Sequence, residues 1–172
     1  MKPTIELPPD AHRESGDGTH LRLARRDDIG RVVAIEHEAF SDAWSRASFD
    51  QLLSDARALF VVACDEHDVV QGYVVAWYVM DEGEIANLAV SSAARRRGIG
   101  GTLLDAALAT ARTRGAVTVY LEVRDSNESA RSLYGSRGFV QVTRRRRYYR
   151  DPTEDALVLK LDLHATPPIA PR

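Results

Sequence analysis

The sequence predicts a single domain of mixed α/β class, and three observations carry that prediction. Apolar runs rich in β-branched residues, such as ALFVVACD (Ala58–Asp65) and VVQGYVVAWYVM (Val69–Met80), alternate with segments whose apolar residues recur at helical spacing. Turn-forming residues separate these segments and give the order β, α, α, β, β, β, α, β, α, β, β. The composition, 44% hydrophobic and 28% charged over 172 residues, is that of an ordinary globular chain. A chain of this size buries roughly two-thirds of its unfolded surface, so it needs no disulfide or metal to hold it together.

LRLAR (Leu21–Arg25) reads as the first strand. Asp27 or Asp28 can cap a helix that carries Ile29, Val32, Val33 and Phe40. Ser45 is the expected cap of a second helix, with Phe49, Leu52 and Leu53 as its apolar stripe. Ala58–Asp65 and Val69–Met80, joined by a short polar turn, read as an antiparallel hairpin, and EIANLAV (Glu84–Val90) as a third strand. GTLLDAALATARTRG (Gly101–Gly115) places Leu103, Leu104, Ala107, Leu108 and Ala111 on one face of a helix stopped by glycine. AVTVYLEV (Ala116–Val123) is then a strand, NESARSLYGSRG (Asn127–Gly138) a helix, and two last strands flank DPTED (Asp151–Asp155). The domain should span 21–163, with residues 1–20 and 164–172, rich in Pro, Gly and polar residues, as flexible tails.

A formal net charge of −2 argues against a global preference for nucleic acid, because such binding rests on summed basic charge. The first 20 residues lack an apolar core and so read as neither a signal peptide nor a membrane span. The single cysteine, Cys64, cannot form an internal bridge, which points to the cytoplasm. It lies inside the apolar run FVVAC with no sequence cue for a histidine partner, so burial explains it better than nucleophilic catalysis.

The segment RRRGIGG (Arg95–Gly101) joins a strand to an amphipathic helix and reads as an anion cradle. Unpaired N–H groups at a helix start, the helix dipole and closely approaching glycine backbone favour phosphate, and neighbouring arginines add charge-assisted bonds. A phosphate-binding Walker loop is excluded because no lysine precedes Thr102. A dinucleotide fingerprint fails where Leu103 stands in place of the third glycine, and the loop follows a hairpin rather than a parallel strand. A plain basic loop before an ordinary helix remains the alternative.

The same segment resembles the Arg/Gln-x-x-Gly-x-Gly/Ala signature of the GNAT superfamily of N-acetyltransferases, with Arg95, Gly98 and Gly100 in its defined positions. The similarity extends over NLAV (Asn87–Val90), LEVRDSNESARSLYGSRGF (Leu121–Phe139) and RRYYRDPTEDALVLKL (Arg146–Leu161), and these segments together resemble the ribosomal-protein-alanine N-acetyltransferases of the RimI type. The resemblance implies a GNAT fold, a mixed and mostly antiparallel central sheet flanked by helices, whose splayed central strands admit the pantetheine arm of acetyl-CoA. It implies transfer of acetyl from acetyl-CoA, without metal, to a protein N-terminus. By the same resemblance the acceptor is the N-terminal alanine of a small-subunit ribosomal protein, with no membrane and no specific nucleic acid as partner.

The resemblance also assigns residues. Arg95, Arg96, Arg97, Gly98, Ile99, Gly100 and Gly101 would hold the pyrophosphate, the backbone of Leu88, Ala89 and Val90 the pantetheine amides, and Asn127 a further CoA contact; read from residue type alone, Asn127 is equally a helix cap. Glu122 lies on the more polar face of its strand with Thr118 and Tyr120, so it is either a solvated strand residue or the general base that the resemblance implies. Tyr134 is either a core aromatic or the general acid that protonates the departing thiolate. In Arg144–Arg150, simple alternation puts Arg144, Arg146 and Tyr148 on one face and Arg145, Arg147 and Tyr149 on the other, as a solvated strand, a substrate gate or an RNA contact. Trp44, in FSDAWS, is core or peptide wall, and this loop is longer than the family's usual FPWS. An α-amine, with a pKa near about 8 against about 10.4 for lysine, costs about 3 kcal/mol less to neutralise and so suits a modest base. A lysine or small-molecule amine acceptor, and a non-catalytic CoA-responsive or RNA-binding module, remain the alternatives.

Overall fold

A computed structural model describes residues 7–8 and 18–164. Seven strands, β1 (His20–Leu23), β2 (Ala58–Cys64), β3 (Val70–Val79), β4 (Glu82–Val90), β5 (Thr118–Arg124), β6 (Val140–Arg150) and β7 (Thr153–Asp162), form one sheet in the order β1-β2-β3-β4-β5-β7-β6. Every neighbouring pair is antiparallel except β4 and β5. Helices α1 (Ile29–Ala39), α2 (Arg46–Leu52), α3 (Ile99–Thr113) and α4 (Glu128–Ser136) complete the element order expected from the sequence. Most of the expected tails, residues 1–20 and 164–172, lies outside the described residues; Leu7 is buried in the main core.

Helices cover both faces of the sheet, so its inner strands are buried on both sides. In β2, Leu59, Val61 and Ala63 belong to a cluster with α3, whereas Ala58, Phe60, Val62 and Cys64 belong to a second cluster with α1 and α2. This alternation follows from the two-residue repeat of a strand. The stripe read on α3 is fully used: Leu103, Leu104, Ala107, Leu108 and Ala111 are all buried. Each leucine so buried contributes about 1.5–3 kcal/mol.

Several local expectations are refined. Ser45 caps α2 through a hydrogen bond from the Ser48 amide. Asp28 precedes α1 but turns back, accepting two bonds from the Arg22 guanidinium and one from the Arg25 amide, so its carboxylate caps nothing in α1. Helix α3 starts at Ile99, two residues before the apolar repeat suggests, and β7 starts at Thr153, which shortens the last turn to Asp151–Pro152.

The simple alternation expected for the arginine run is wrong. Arg145 pairs with Ala156 and Tyr149 with Glu154, so four steps along β6 oppose two along β7. Arg147, inside this bulge, has φ +50°. Asp155 lies opposite the bulge and its Oδ1 accepts the Arg147 amide at 2.9 Å. A buckled strand thus finds a side-chain acceptor for a backbone N–H that the ladder has lost.

Candidate active site

The sheet splits at its centre. Strands β4 and β5 pair only from Glu82↔Thr118 to Ile85↔Leu121. Immediately afterwards β4 carries a bulge against β3, between Ile85 and Asn87. Beyond it β4 has no partner on its β5 side, and Asn87, Leu88 and Val90 are only half-buried. Leu88–Val90 therefore lines a cleft, in which strand N–H and C=O groups face no neighbouring strand.

One end of the cleft meets the start of α3. Gly98 is its N-cap, with φ +79°, and Arg96 two residues earlier has φ +61°. Among the described residues no side chain caps this helix, and the N–H groups of its first turn have no intrahelical partners. A Cβ placed on Gly100 would lie 3.5 Å from Leu133 of α4 and 3.7 and 3.8 Å from Val90 and Leu88, so the helix start, α4 and the cleft strand converge there. Arg95 donates to the Val90 carbonyl at 3.4 Å, and the Gly101 position lies against Arg137. Ile99 and Ala89 are buried, and only their backbone can serve a ligand. Asn127 caps α4, its side chain accepting the Ala130 amide at 3.1 Å.

The other wall of the cleft is built from β5, α4 and β6. In β5, Val119, Leu121 and Val123 are buried while Glu122 is half-buried, as the alternation predicts. The Glu122 Oε1 atom lies 2.9 Å from Arg145 Nε, and its carboxylate takes a hydrogen bond from Tyr148, which raises the pKa of that phenol. Tyr134 packs edge-on against Phe139 and is buried; burial first, then Tyr149, pushes its pKa up to about 12. Tyr149 itself is pushed up to about 12 by burial and then by Glu122. The bulge in β6 explains this gathering: it brings Arg145, Tyr148 and Tyr149 into one cluster with Glu122, although alternation assigned Tyr148 to the opposite face.

Above this cluster Arg124 joins two loops. Its Nη2 donates to Ser41 Oγ at 2.8 Å and Asp42 Oδ1 at 3.3 Å, its Nη1 reaches Glu154 at 3.4 Å, and the guanidinium stacks 4.0 Å from the Tyr149 ring centroid. Ser41 also donates to the carbonyl of Asp151. The loop between α1 and α2 is thereby tied to the β6–β7 turn. Trp44 in that loop is half-buried against Phe49 and Trp77, so it serves the core and the loop together. Sequence reading had no cue for Arg124, Ser41 or Asp42, whose roles depend on contacts more than 80 residues apart.

Two arginines of the run, Arg144 and Arg145, are paired with carboxylates here. Arg144 bonds Asp125 at 2.6 Å and Asp155 at 3.1 Å, and Arg145 bonds Glu122. Cys64 lies at the end of β2, two strands from the cleft, with its thiol pushed up to about 12 by burial. It clusters with His20 and Asp68, but the Asp68 Oδ1 already accepts Arg22 Nε at 2.7 Å. That guanidinium opposes a cation. Among the described residues no helix is long and apolar enough to cross a membrane.

Known proteins resemble this chain in sequence and fold. The sequence model of the Acetyltransferase (GNAT) family matches residues 29–139. The ribosomal protein bS18-alanine N-acetyltransferase of Salmonella typhimurium is 35% identical over 147 residues, covering 83% of this chain and 97% of its own. An N-alpha-acetyltransferase of Sulfurisphaera tokodaii is 32% identical over 166 residues, covering 89% and 98%. The crystal structure of the ribosomal-protein-S18-alanine N-acetyltransferase from Escherichia coli superposes with a TM-score of 0.78 at 29% identity, covering 90% of this chain and 99% of the other.

Proposed function

The chain belongs to the GNAT acetyltransferase family, and from that premise we propose that it acetylates the N-terminal alanine of ribosomal protein bS18 in the cytoplasm, using acetyl-CoA. The observation that carries the chemistry is the cleft left where β4 parts from β5, with the start of α3 at one end, Glu122 on β5 just past the split and Tyr134 buried on α4. Identity over nearly the whole length of the Salmonella relative supports the acceptor.

The residues fit the cosubstrate. The first-turn amides of α3, with Arg95 to Arg97 beside them and the Gly98–Gly101 backbone, suit a pyrophosphate. The Leu88–Val90 backbone, past the end of the β4–β5 pairing, suits the pantetheine amides, and an N–H there would polarise the thioester carbonyl. The substrate nitrogen, once neutral, attacks the thioester carbonyl carbon; a C–N bond forms and the C–S bond breaks. Glu122 accepts the proton that nitrogen loses, directly or through water, and Tyr134 donates one to the departing sulfur. A phenol with its pKa near about 12 is protonated at neutral pH and therefore available as that donor. No acyl-cysteine is needed, since the one thiol lies away from the cleft and is protonated.

The test is thiol release from acetyl-CoA with three acceptors: an alanine-initiated peptide, the same peptide with a blocked N-terminus and an internal lysine, and a polyamine. Turnover with the first alone is the expected result. Preference for the lysine peptide or the polyamine overturns the acceptor, and no release with any of them overturns the activity.

A further inference from the structure

Helix α1 carries a carboxylate where its spacing calls for an apolar residue. Its core-facing positions are Ile29, Val32, Ile35 and Glu36, and Glu36 is as buried as the others at 1% exposure. No cation meets it. Instead the carboxylate is held entirely by neutral donors from three elements: Oε1 accepts the Trp44 amide at 2.8 Å, both oxygens accept Asn87 Nδ2 at 3.1 and 3.0 Å, and Oε2 accepts the Tyr73 hydroxyl. A buried carboxylate without a counter-ion is costly for a fold, and an apolar residue of similar volume would avoid that cost.

The donors show what the carboxylate achieves. Asn87 ends the bulge at which β4 leaves β5, one residue before Leu88 and the cleft-lining backbone. Trp44 closes the α1–α2 loop, which Ser41 and Asp42 tie to Arg124 above Glu122. One side chain thus holds both the strand that lines the cleft and the loop that walls its mouth. We infer that Glu36 is a positioning residue for acetyl transfer: its carboxylate fixes the β4 bulge through Asn87 and the α1–α2 loop through Trp44. The inference rests on the acetyltransferase reading of the cleft. Tyr73, the third donor, lies on β3 with its ring against Phe49 and Phe60; its backbone pairs with Ala89, but its hydroxyl bonds Glu36 and neither Asn87 nor Trp44, so removing that hydroxyl separates positioning from simple core stability.

Three variants test the inference. Glu36→Gln keeps the shape but turns one acceptor into a donor facing Asn87. Asn87→Ala cuts only the link to β4, and keeps the test open should the first variant fold poorly. Tyr73→Phe removes a hydrogen bond from the same carboxylate while sparing both links. In folded protein, Glu36→Gln and Asn87→Ala should each lower kcat about tenfold, with Glu36→Gln also raising the acceptor KM several-fold, while the acetyl-CoA KM stays within about twofold. Tyr73→Phe should leave kcat and both KM values within about twofold even if its Tm falls as far.

A readout independent of turnover accompanies these. Backbone hydrogen exchange at Trp44 and at Asn87–Val90 should quicken in Glu36→Gln and not in Tyr73→Phe. Unchanged exchange in Glu36→Gln overturns the positioning role whether or not the parent protein acetylates anything. An active parent whose Glu36→Gln variant keeps kcat and acceptor KM within twofold overturns it too, as does an equal loss of kcat in Tyr73→Phe. An inactive parent whose exchange responds as expected overturns only the acetyltransferase reading.

Discussion

The two walls of the cleft are built on different principles. On the β4–α3 side the groups proposed to meet the ligand are backbone amides, presented by one continuous stretch of chain from Leu88 to Gly101 and shaped by left-handed residues at Arg96 and Gly98. On the β5–β6 side they are side chains, Glu122, Tyr134, Tyr148 and Tyr149, drawn together from three elements by a bulge and by Arg124. A wall made from backbone is sensitive to steric intrusion and indifferent to most side-chain chemistry. A wall made from side chains is the reverse. On the proposed reading, the contrast separates where acetyl-CoA would be held from where the proton transfers and acceptor selection would take place.

The largest effect should come from intruding on the backbone wall. Gly100→Glu places a carboxylate beside the first-turn amides, in the space shared by Leu88, Val90 and Leu133. Its Cβ meets only ordinary contacts, the nearest at 3.5 Å, so the fold should survive and the loss should fall on the ligand. Acetyl-CoA affinity measured by calorimetry should drop by roughly 10²-fold or more, about 2.7 kcal/mol. Retained affinity would remove the helix start from the pyrophosphate site.

Next in size are the two groups proposed for proton transfer, where the lesion leaves the backbone wall intact. Tyr134→Phe and Glu122→Gln should each lower kcat by roughly 10²-fold while acetyl-CoA affinity stays near that of the parent. The pH profile sharpens the assignment. Because burial lifts Tyr134 to about 12, its phenol stays protonated as pH rises, and kcat should show no alkaline fall through about pH 10, where an unperturbed tyrosine ionises. A fall there would identify a different donor. In a well-folded Tyr134→Phe enzyme, partial recovery with a thioester of lower thiol pKa would tie the defect to thiolate departure.

The same contrast explains what the sequence revealed. The backbone wall was legible because its determinants are local: Gly98, Gly100 and Arg95 lie within six residues, ahead of a helix whose Leu103–Ala111 stripe is plain. The element order along the chain and the positions of Glu122 and Tyr134 were legible for the same reason, since period-two alternation and a following helix are local patterns. Tyr148 was misassigned to the opposite face because the β6 bulge depends on Asp155 of another strand accepting the Arg147 amide. Arg124 and Glu36 were missed for a related reason. Their partners lie up to 83 and 51 residues away, and only the charge at a core-facing helical position, Glu36, left a trace in the sequence.

A smaller effect is expected where the side-chain wall meets the acceptor. Arg124→Ala removes the bonds to Ser41, Asp42 and Glu154 and the stacking on Tyr149, so the α1–α2 loop and the β6–β7 turn lose their tie. Loosening two loops that wall the mouth should raise the acceptor KM roughly tenfold and leave acetyl-CoA affinity within about twofold. If the acetyl-CoA affinity falls instead, the two walls are not separable and the contrast fails.

The smallest effect probes the backbone wall by conformation alone. Gly98 sits at φ +79°, a region in which an L-residue pays roughly 1–2 kcal/mol, yet a Cβ added there meets nothing within 4 Å. Gly98→Ala therefore tests backbone geometry without a clash. In the free protein the loop can relax toward negative φ, and binding must then restore the left-handed turn that aims the α3 amides. That restoration costs about 1 kcal/mol of affinity, or about fivefold in the acetyl-CoA dissociation constant, with kcat at saturating acetyl-CoA unchanged. Gly98→Asn should recover most of the loss, because asparagine tolerates the left-handed region better than alanine. If alanine and asparagine weaken binding equally, bulk or altered hydration at Gly98 is responsible. If neither weakens it, the left-handed turn contributes nothing to presenting the helix start.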